Sequence, residues 1–410
     1  MSTGKATIIQ KIKYYRKQYA AALLDDIIPF WVKNSPDYQN GGYFTCLDRD
    51  GRVYDTDKFM WLQGRQLYML AKLYNCLEQD RQWLELGRLG ADFIKKFGRA
   101  ADGDYYFALT ATGRPLIQPY NLFSDYFCGM GLAQYARAAG DETSRDLALT
   151  IFKRQEARKT NPKKQYNKSY PGTRPAEALN IPIIELNFCL EIKEALPGVE
   201  ADERISRTIE HIFSRFLNPR HGLFHEAVTL DPDEMDHFDG RLVCPGHGLE
   251  CAWIILEAAL QLRKHRWIAP ACEILLKTLN HGWDQDYGGI FYFRDLLDKP
   301  PDRLDWDQKL WWVHTEALVA LILAYKITGE TVYFDWFEKV NAYAWQTFAD
   351  PPHGEWFGYA NRRGEILLTL KGGKWKGFFH LPRFLFMCCG IFQDILDQQG
   401  QALRAHHREG

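Results

Sequence analysis

The chain has 410 residues, 46% of them hydrophobic and 14% aromatic with 13 Trp, enough for a large core and for surfaces that stack on the apolar faces of sugars. A net charge of −1 gives no global field for nucleic acid or anionic membranes. No run approaches the roughly 20 apolar residues of a membrane span. Nine scattered cysteines without CxxC spacing fit free thiols in a reducing compartment better than a disulfide framework or a zinc site.

In chain order, Met1–Lys5 leads into Ile8–Asp26, which reads as an amphipathic helix with Lys and Arg on its outer face. It lacks the apolar h-region and cleavage site of a secretory signal, so a cytoplasmic protein is expected. A Gly-plus-aromatic signature then appears at Gly41-Gly42-Tyr43-Phe44. It recurs at Gly103–Phe107, Gly222-Leu223-Phe224, Gly288–Phe291 and Gly354–Phe357. The successive intervals between Gly42, Gly103, Gly222, Gly289 and Gly354 are 61, 119, 67 and 65 residues. The second is about twice the others, so one unit between Gly103 and Gly222 has lost its signature. Six units of one length indicate stacked supersecondary repeats.

Between signatures the apolar spacing is helical, as in Phe59–Leu77, Ala252–Leu262, Ala317–Thr328 and Tyr333–Phe348. Strands fit only beside the signatures. Tyr43–Asp48, Asp50-Gly51 and Arg52–Tyr54 read as a hairpin, and Trp356–Ala360, Arg363-Gly364 and Glu365–Leu370 repeat it. The expected fold is all-α, an (α/α)6 barrel with short β-hairpins at one end. Residues 1–410 form one catalytic domain, because no Pro/Ser/Gly linker divides them. Aromatic-rich connections repeated at that end would build a single sugar-sized bowl.

One segment departs from the rhythm. Residues 153–174 read as a basic loop inserted in the third unit, carrying Lys153, Arg154, Arg158, Lys159, Lys163, Lys164, Lys168 and Arg174 against Glu156 alone. Its bland reading is a solvated face and its sharper one a lid or anion site. No Walker-type G-x-x-x-x-G-K accompanies it, so a nucleotide would not bind through a P-loop.

The candidate chemistry lies where hairpins hand over to helices. Pro245-Gly246-His247-Gly248-Leu249-Glu250 places His247 and Glu250 three apart at a helix start. Phe379-His380-Leu381-Pro382-Arg383 repeats the pattern, with Pro382 suited to a first helical turn. Trp311-Trp312-Val313-His314-Thr315-Glu316 supplies Glu316 and Trp312, and Met60-Trp61-Leu62-Gln63-Gly64-Arg65 supplies Arg65 and Trp61. Each site residue has a structural alternative: a helix cap for either histidine, or a buried ion pair for Glu316 and Arg65. His221 and His225 have i,i+4 spacing, but no helix with a third ligand follows, so zinc is not expected there.

These runs, with Gly42–Asp55, resemble the N-acylglucosamine 2-epimerase family over essentially the whole chain. The resemblance implies an (α/α)6 barrel, interconversion of N-acetylglucosamine and N-acetylmannosamine, a homodimer, and activation by ATP that is not consumed. It places the active site at Arg65, His247, Glu250, Glu316, His380 and Arg383, and links the region of Lys168 with nucleotide activation. Animal members have been described as renin-binding proteins, so a binding role is one alternative.

The residue chemistry agrees. Inverting C2 of a 2-acylamino sugar means opening the ring, removing the proton α to the aldehyde and returning it to the other face. Imidazole, with an ordinary pKa of about 6.5, suits both transfers. His247 and His380 are expected as opposed acid/bases, and Arg65 as the stabiliser of the enediolate. Glu250 and Glu316 are expected to orient the imidazoles or assist ring opening, with Arg383, Trp312 and Trp61 binding substrate. No metal or catalytic cofactor is required. Two other enzymatic readings stand beside this one. A relative acting on cellobiose or mannose would use the same histidines. An inverting glycoside hydrolase would use Glu250 and Glu316 and leave the histidines unexplained.

Overall fold

The computed structural model describes residues 3–159, 163, 170, 176–229 and 235–406. Helix α1 (Thr3–Ala21) runs through a π-helical stretch, Ala22–Ile27, into α2 (Ile28–Asn34). The widening falls just before Pro29, which has no N–H to offer the preceding turn. The helices that follow are α3 (Met60–Cys76), α4 (Arg81–Phe97), α5 (Phe123–Ala139), α6 (Glu142–Arg158), α7 (Asn180–Ala195) and α8 (Asp202–Arg215). A short α9 (Phe238–Arg241) precedes α10 (Pro245–Gln261), α11 (Ile268–Gly282), α12 (Trp311–Thr328), α13 (Thr331–Phe348) and α14 (His380–His406).

The inner ring consists of α3, α5, α7, α10, α12 and α14. Each touches the next, and α14 touches α3, so the ring closes. The α1–α2 rod, α4, α6, α8, α11 and α13 lie outside. Burial follows this division. In α12 every residue from Trp311 to Tyr325 is buried, as suits a helix enclosed on all sides, whereas α4 and α8 bury a single stripe. Local chemistry sets the ends. Asp80 and Asp141 cap α4 and α6 by accepting from the backbone N–H of Gln82 and Ser144. Pro245 opens α10 and left-handed Gly329 closes α12.

The Gly-plus-aromatic signatures form one repeated turn after the α1–α2 rod, α4, α8, α11 and α13. Gly41, Gly103, Gly222, Gly288 and Gly354 all have φ between 65° and 86°, a region that only glycine enters freely. The residue beyond each turn pairs back on the helix end, as in Pro36 with Tyr43, Trp283 with Ile290 and Ala349 with Trp356. Three turns are locked by a buried lysine: Lys58 on Asp37 (2.7 Å), Lys309 on Asp284 (3.1 Å) and Lys371 on Asp350 (2.8 Å).

The short strands tie each unit to the next. Lys58–Phe59, immediately before α3, pairs antiparallel with Ala108–Leu109 of the following unit. Lys309–Leu310, before α12, pairs with Tyr359–Ala360, and Leu242–Val243, before α10, pairs with Arg294–Asp295. The start of an inner helix is thereby fixed by its neighbour's hairpin. The hairpins read from sequence are present but shorter, with Cys46–Leu47 on Val53–Asp55 and Tyr359–Ala360 on Ile366–Leu368.

The inserted basic loop begins later than its composition indicated. Lys153–Arg158 are the last turns of α6. Arg154 reaches Asp104 at 3.0 Å, Arg158 reaches Asp125 at 2.7 Å, and Lys159 reaches Glu185 at 2.9 Å. Their acidic partners lie 26 to 50 residues away, so composition alone made them look unpaired. Lys168 lies outside the described residues.

Helices α3 and α5 pack backbone to backbone. A Cβ on Gly64 would stand 2.4 Å from the Cys128 N and Phe127 C atoms, and one on Gly131 would stand 2.6 Å from the Gly64 O. Gly64→Ala must therefore push these inner helices apart beside Arg65. We expect a loss of about 2–3 kcal/mol in denaturant unfolding. A loss within about 0.5 kcal/mol would mean that the helices separate freely at this crossing.

Candidate active site

The inner helices present their first turns to the hairpin end of the barrel. Counting from each helix start, Arg65 is the sixth residue of α3, Glu250 the sixth of α10 and Glu316 the sixth of α12. Equal depth on three helices of the ring puts these side chains in one layer, and Arg383 from the first turn of α14, which lies between α12 and α3, joins them. Arg383 Nη2 donates to Glu250 Oε1 (3.0 Å) and Glu316 Oε1 (2.7 Å). Glu316 also accepts from His380 Nδ1 (2.7 Å) and, through Oε2, from Trp253 Nε1 (2.7 Å). Both oxygens of Glu316 are thus fully engaged at 1% side-chain exposure. Beneath Arg383 and Trp253 the interior opens into a separate chamber of about 940 Å³ towards the opposite end.

Glu316 holds His380 through the ring's Nδ1. Its contact with Nδ1 makes that nitrogen the N–H donor and leaves Nε2 with a free lone pair. Of the two roles expected for Glu250, orienting an imidazole or assisting ring opening, the first does not extend to His247. Three residues along a helix amount to a rise of about 4.5 Å, so Glu250 lies one layer deeper, on Arg383. His247 turns instead to Glu226, whose two oxygens accept from Nδ1 at 2.8 and 3.0 Å. Glu226 was not among the sequence candidates. Its N–H donates to Leu242 O and its carbonyl accepts from Leu179 N–H, so it is threaded between strands of two units beside the entry to α10.

The two imidazoles flank Trp312, with ring centroids 5.4 Å (His247) and 5.7 Å (His380) from the indole. Arg65 stands over three rings, with its guanidinium carbon 4.3 Å from Trp61, 4.0 Å from Phe127 and 4.4 Å from Phe379. Its buried Nε has no hydrogen-bond partner among the described residues. Arg65 is therefore held by π-faces rather than by the ion pair considered for it. Arg383, expected to meet substrate, sits behind His380 at 4% side-chain exposure, between its two carboxylates.

Electrostatics separate the histidines. Burial, with Arg65 and Arg383 beside it, holds His380 well below the ordinary imidazole value. Burial also opposes a proton on His247, but Cys244 and Glu226 outweigh it and raise that ring well above the ordinary value. Burial brings Arg65 down to about 9, which still leaves it charged at neutral pH. Burial disfavours charge on Arg383 as well, yet Glu316 and Glu250 hold it above its ordinary value. His314, in the same motif as Glu316, is structural. Burial takes it down to about 3, its Nδ1 donates to Leu310 O, and its Nε2 accepts from Ile290 N–H. His225 is likewise committed, to Gly240 O and the Asn218 side chain.

The layer can hold a carbonyl-derived oxyanion near a fixed guanidinium with an imidazole on either side. It suits a glycosidase poorly. Facing atoms of Glu250 and Glu316 lie within 4.8 Å, closer than the roughly 6.5–9.5 Å that an inverting pair needs for its water, and Arg383 bridges them.

Solved structures share this fold. The cellobiose 2-epimerase of Spirochaeta thermophila superposes with a TM-score of 0.80 at 21% identity, covering 97% of this chain and 100% of that one. Sequence goes further. The N-acylglucosamine 2-epimerase (GlcNAc 2-epimerase) family pattern matches residues 42–383, and the chain belongs to that family. The N-acylglucosamine 2-epimerase of Bos taurus is 35% identical over 94% of this chain and 93% of the bovine protein. The cellobiose 2-epimerase of Dictyoglomus turgidum is 26% identical over 84% of this chain and 90% of its own length. No helix among the described residues is long and apolar enough to cross a membrane.

Proposed function

We propose that the protein interconverts N-acetyl-D-glucosamine and N-acetyl-D-mannosamine by moving the C2 proton between two histidines. The observation that carries this reading is the pair of imidazoles on one indole, each fixed through Nδ1 by its own carboxylate. Ring opening exposes the C1 aldehyde and acidifies the C2 proton. One imidazole removes that proton, and the electron pair spreads onto O1, where Arg65 meets the developing charge. The opposed imidazole returns a proton to the other face. Arg383 and Glu316 hold His380 in place, and Trp312 with Trp61 offers surfaces for the sugar. The proposal includes ATP as an activator that is not consumed, acting through the Lys168 region. It also includes a homodimer, a cytoplasmic location and a role in supplying sialic acid precursors.

The test is incubation with N-acetylmannosamine, glucosamine, mannose and cellobiose in deuterated water, with and without ATP, following products and C2 label by NMR. We expect epimerisation and C2 deuteration of the N-acyl sugar, faster with ATP and without its hydrolysis. Turnover of mannose or cellobiose alone would overturn the N-acyl assignment. An unchanged rate and melting temperature with ATP would remove the activator.

A further inference from the structure

The two site histidines occupy unlike charge environments. His380 on α14 faces Arg65 on α3, Glu250 on α10, Glu316 on α12, Arg383 of its own helix, and His247. Two guanidiniums stand against two carboxylates there, and both carboxylates already serve Arg383. His247, in the first turn of α10, faces Glu226 from the bend just before the strand Ala227–Thr229, Cys244 between its own strand and the helix, Trp312 on α12, and His380. Tyr292 adjoins this group, with Arg303 and Asp305 acting on it from beyond. The Glu226 carboxylate is bound to the ring through both oxygens and forms no other ion pair among the described residues.

We propose that Glu226 is a positioning residue that keeps His247 as the imidazolium in the resting site, so that turnover begins with one proton on His247 and an open lone pair on His380. The inference rests on the epimerase reading above and deepens it. A carboxylate on Nδ1 favours the charged ring and aims its Nε2–H outwards, while two neighbouring guanidiniums disfavour a proton on His380. In the forward step the C2–H bond breaks, the proton passes to His380 Nε2, and the electron pair moves into the enediolate. His247 Nε2–H then protonates C2 from the opposite side and becomes neutral. The enzyme is left with its proton on the other ring and must move it back before repeating the same direction.

The signs fix the pH window. A raised His247 keeps its proton until pH climbs well above the ordinary 6.5. A lowered His380 stays neutral until pH falls well below it. The singly protonated pair fills the interval, and Cys244 with Glu226 sets its alkaline edge.

The experiment combines ¹⁵N-histidine NMR titration with pH–rate profiles for wild type, Glu226→Gln and Glu226→Asp, the His247 signal being assigned by its loss in His247→Asn. In wild type His247 is expected to remain imidazolium at about pH 8. In Glu226→Gln it should be neutral there. The rate of that variant at about pH 8 should fall about tenfold or more relative to its own value near pH 6, with the acid limb and KM little changed. Glu226→Asp should keep the wild-type profile. A neutral His247 at about pH 7 in wild type overturns the proposal, and so does an alkaline limb that Glu226→Gln leaves in place. Should Glu226→Gln not fold, the wild-type titration alone decides. Should no sugar be turned over, the epimerase reading fails while the titration still reports on Glu226.

Discussion

His247→Asn and His380→Asn are each expected to lower net epimerisation by about 10²–10⁴-fold, the usual contribution of a general acid–base group. Asparagine keeps a polar side chain in the space of each ring but cannot carry the proton. Each variant retains one working base on one face of C2, so each should still exchange the C2 proton of one epimer with solvent deuterium. The two variants should favour opposite epimers. This split separates a two-base site from a one-base site, in which one variant would be inert towards both sugars and the other would exchange both. Near wild-type epimerisation by both variants would show that the histidines are structural, and the site assignment would fall.

Arg383→Met is expected to cost about 3–5 kcal/mol of stability, measured by denaturant unfolding, and to remove most activity. Its Nη2 is shared between Glu250 and Glu316, and its guanidinium carbon stands 4.4 Å from the Phe379 ring and 5.1 Å from Trp253. Methionine fills some of the volume and leaves buried Glu316 and half-buried Glu250 facing each other without the cation that bridges them. Glu316 would then gain a proton or turn, and either change loosens His380. Arg383→Lys restores charge without the fork that spans both acids, so it should recover only a fraction of the loss. Arg383→Met combined with Glu316→Leu should regain stability, since a removed pair costs less than a broken one, yet stay inactive because His380 has lost its tether. A single Arg383→Met within about 1 kcal/mol of wild type would mean that water already shields these carboxylates.

How much was legible from sequence depended on the range of the contact. The barrel was, because left-handed glycines recur at a fixed period and the apolar spacing between them is helical. The placement of Arg65, Glu250, Glu316, His380 and Arg383 at one end of the ring was as well, because each stands within a turn or so of a helix start that the hairpins announce. The partnership of His247 was not. Glu226 reaches that ring only through its backbone bond to Leu242, sixteen residues on, and no local pattern encodes that register. The nearby His225 drew attention by its spacing to His221, although its ring serves the backbone at Gly240. The start of the basic run was misread in the same way. Arg154 and Arg158 are matched by Asp104 and Asp125 from an earlier unit, and composition cannot see across a fold.

The strands that precede α3 and α12 end at the residue before the helix begins, and the strand before α10 ends two residues before it. Each is clamped by the next unit's hairpin. An added residue at that hand-over would turn every side chain of the following helix by about 100° and carry Arg65, His247 or Glu316 out of its layer. The same residue added at a hairpin tip, such as Asp50-Gly51 or Arg363-Gly364, would lengthen a loop and leave the layer in place. Drift in chain length is therefore channelled to the rim of the bowl. Such an architecture can reshape what enters while the spacing of the groups that move the proton is held constant.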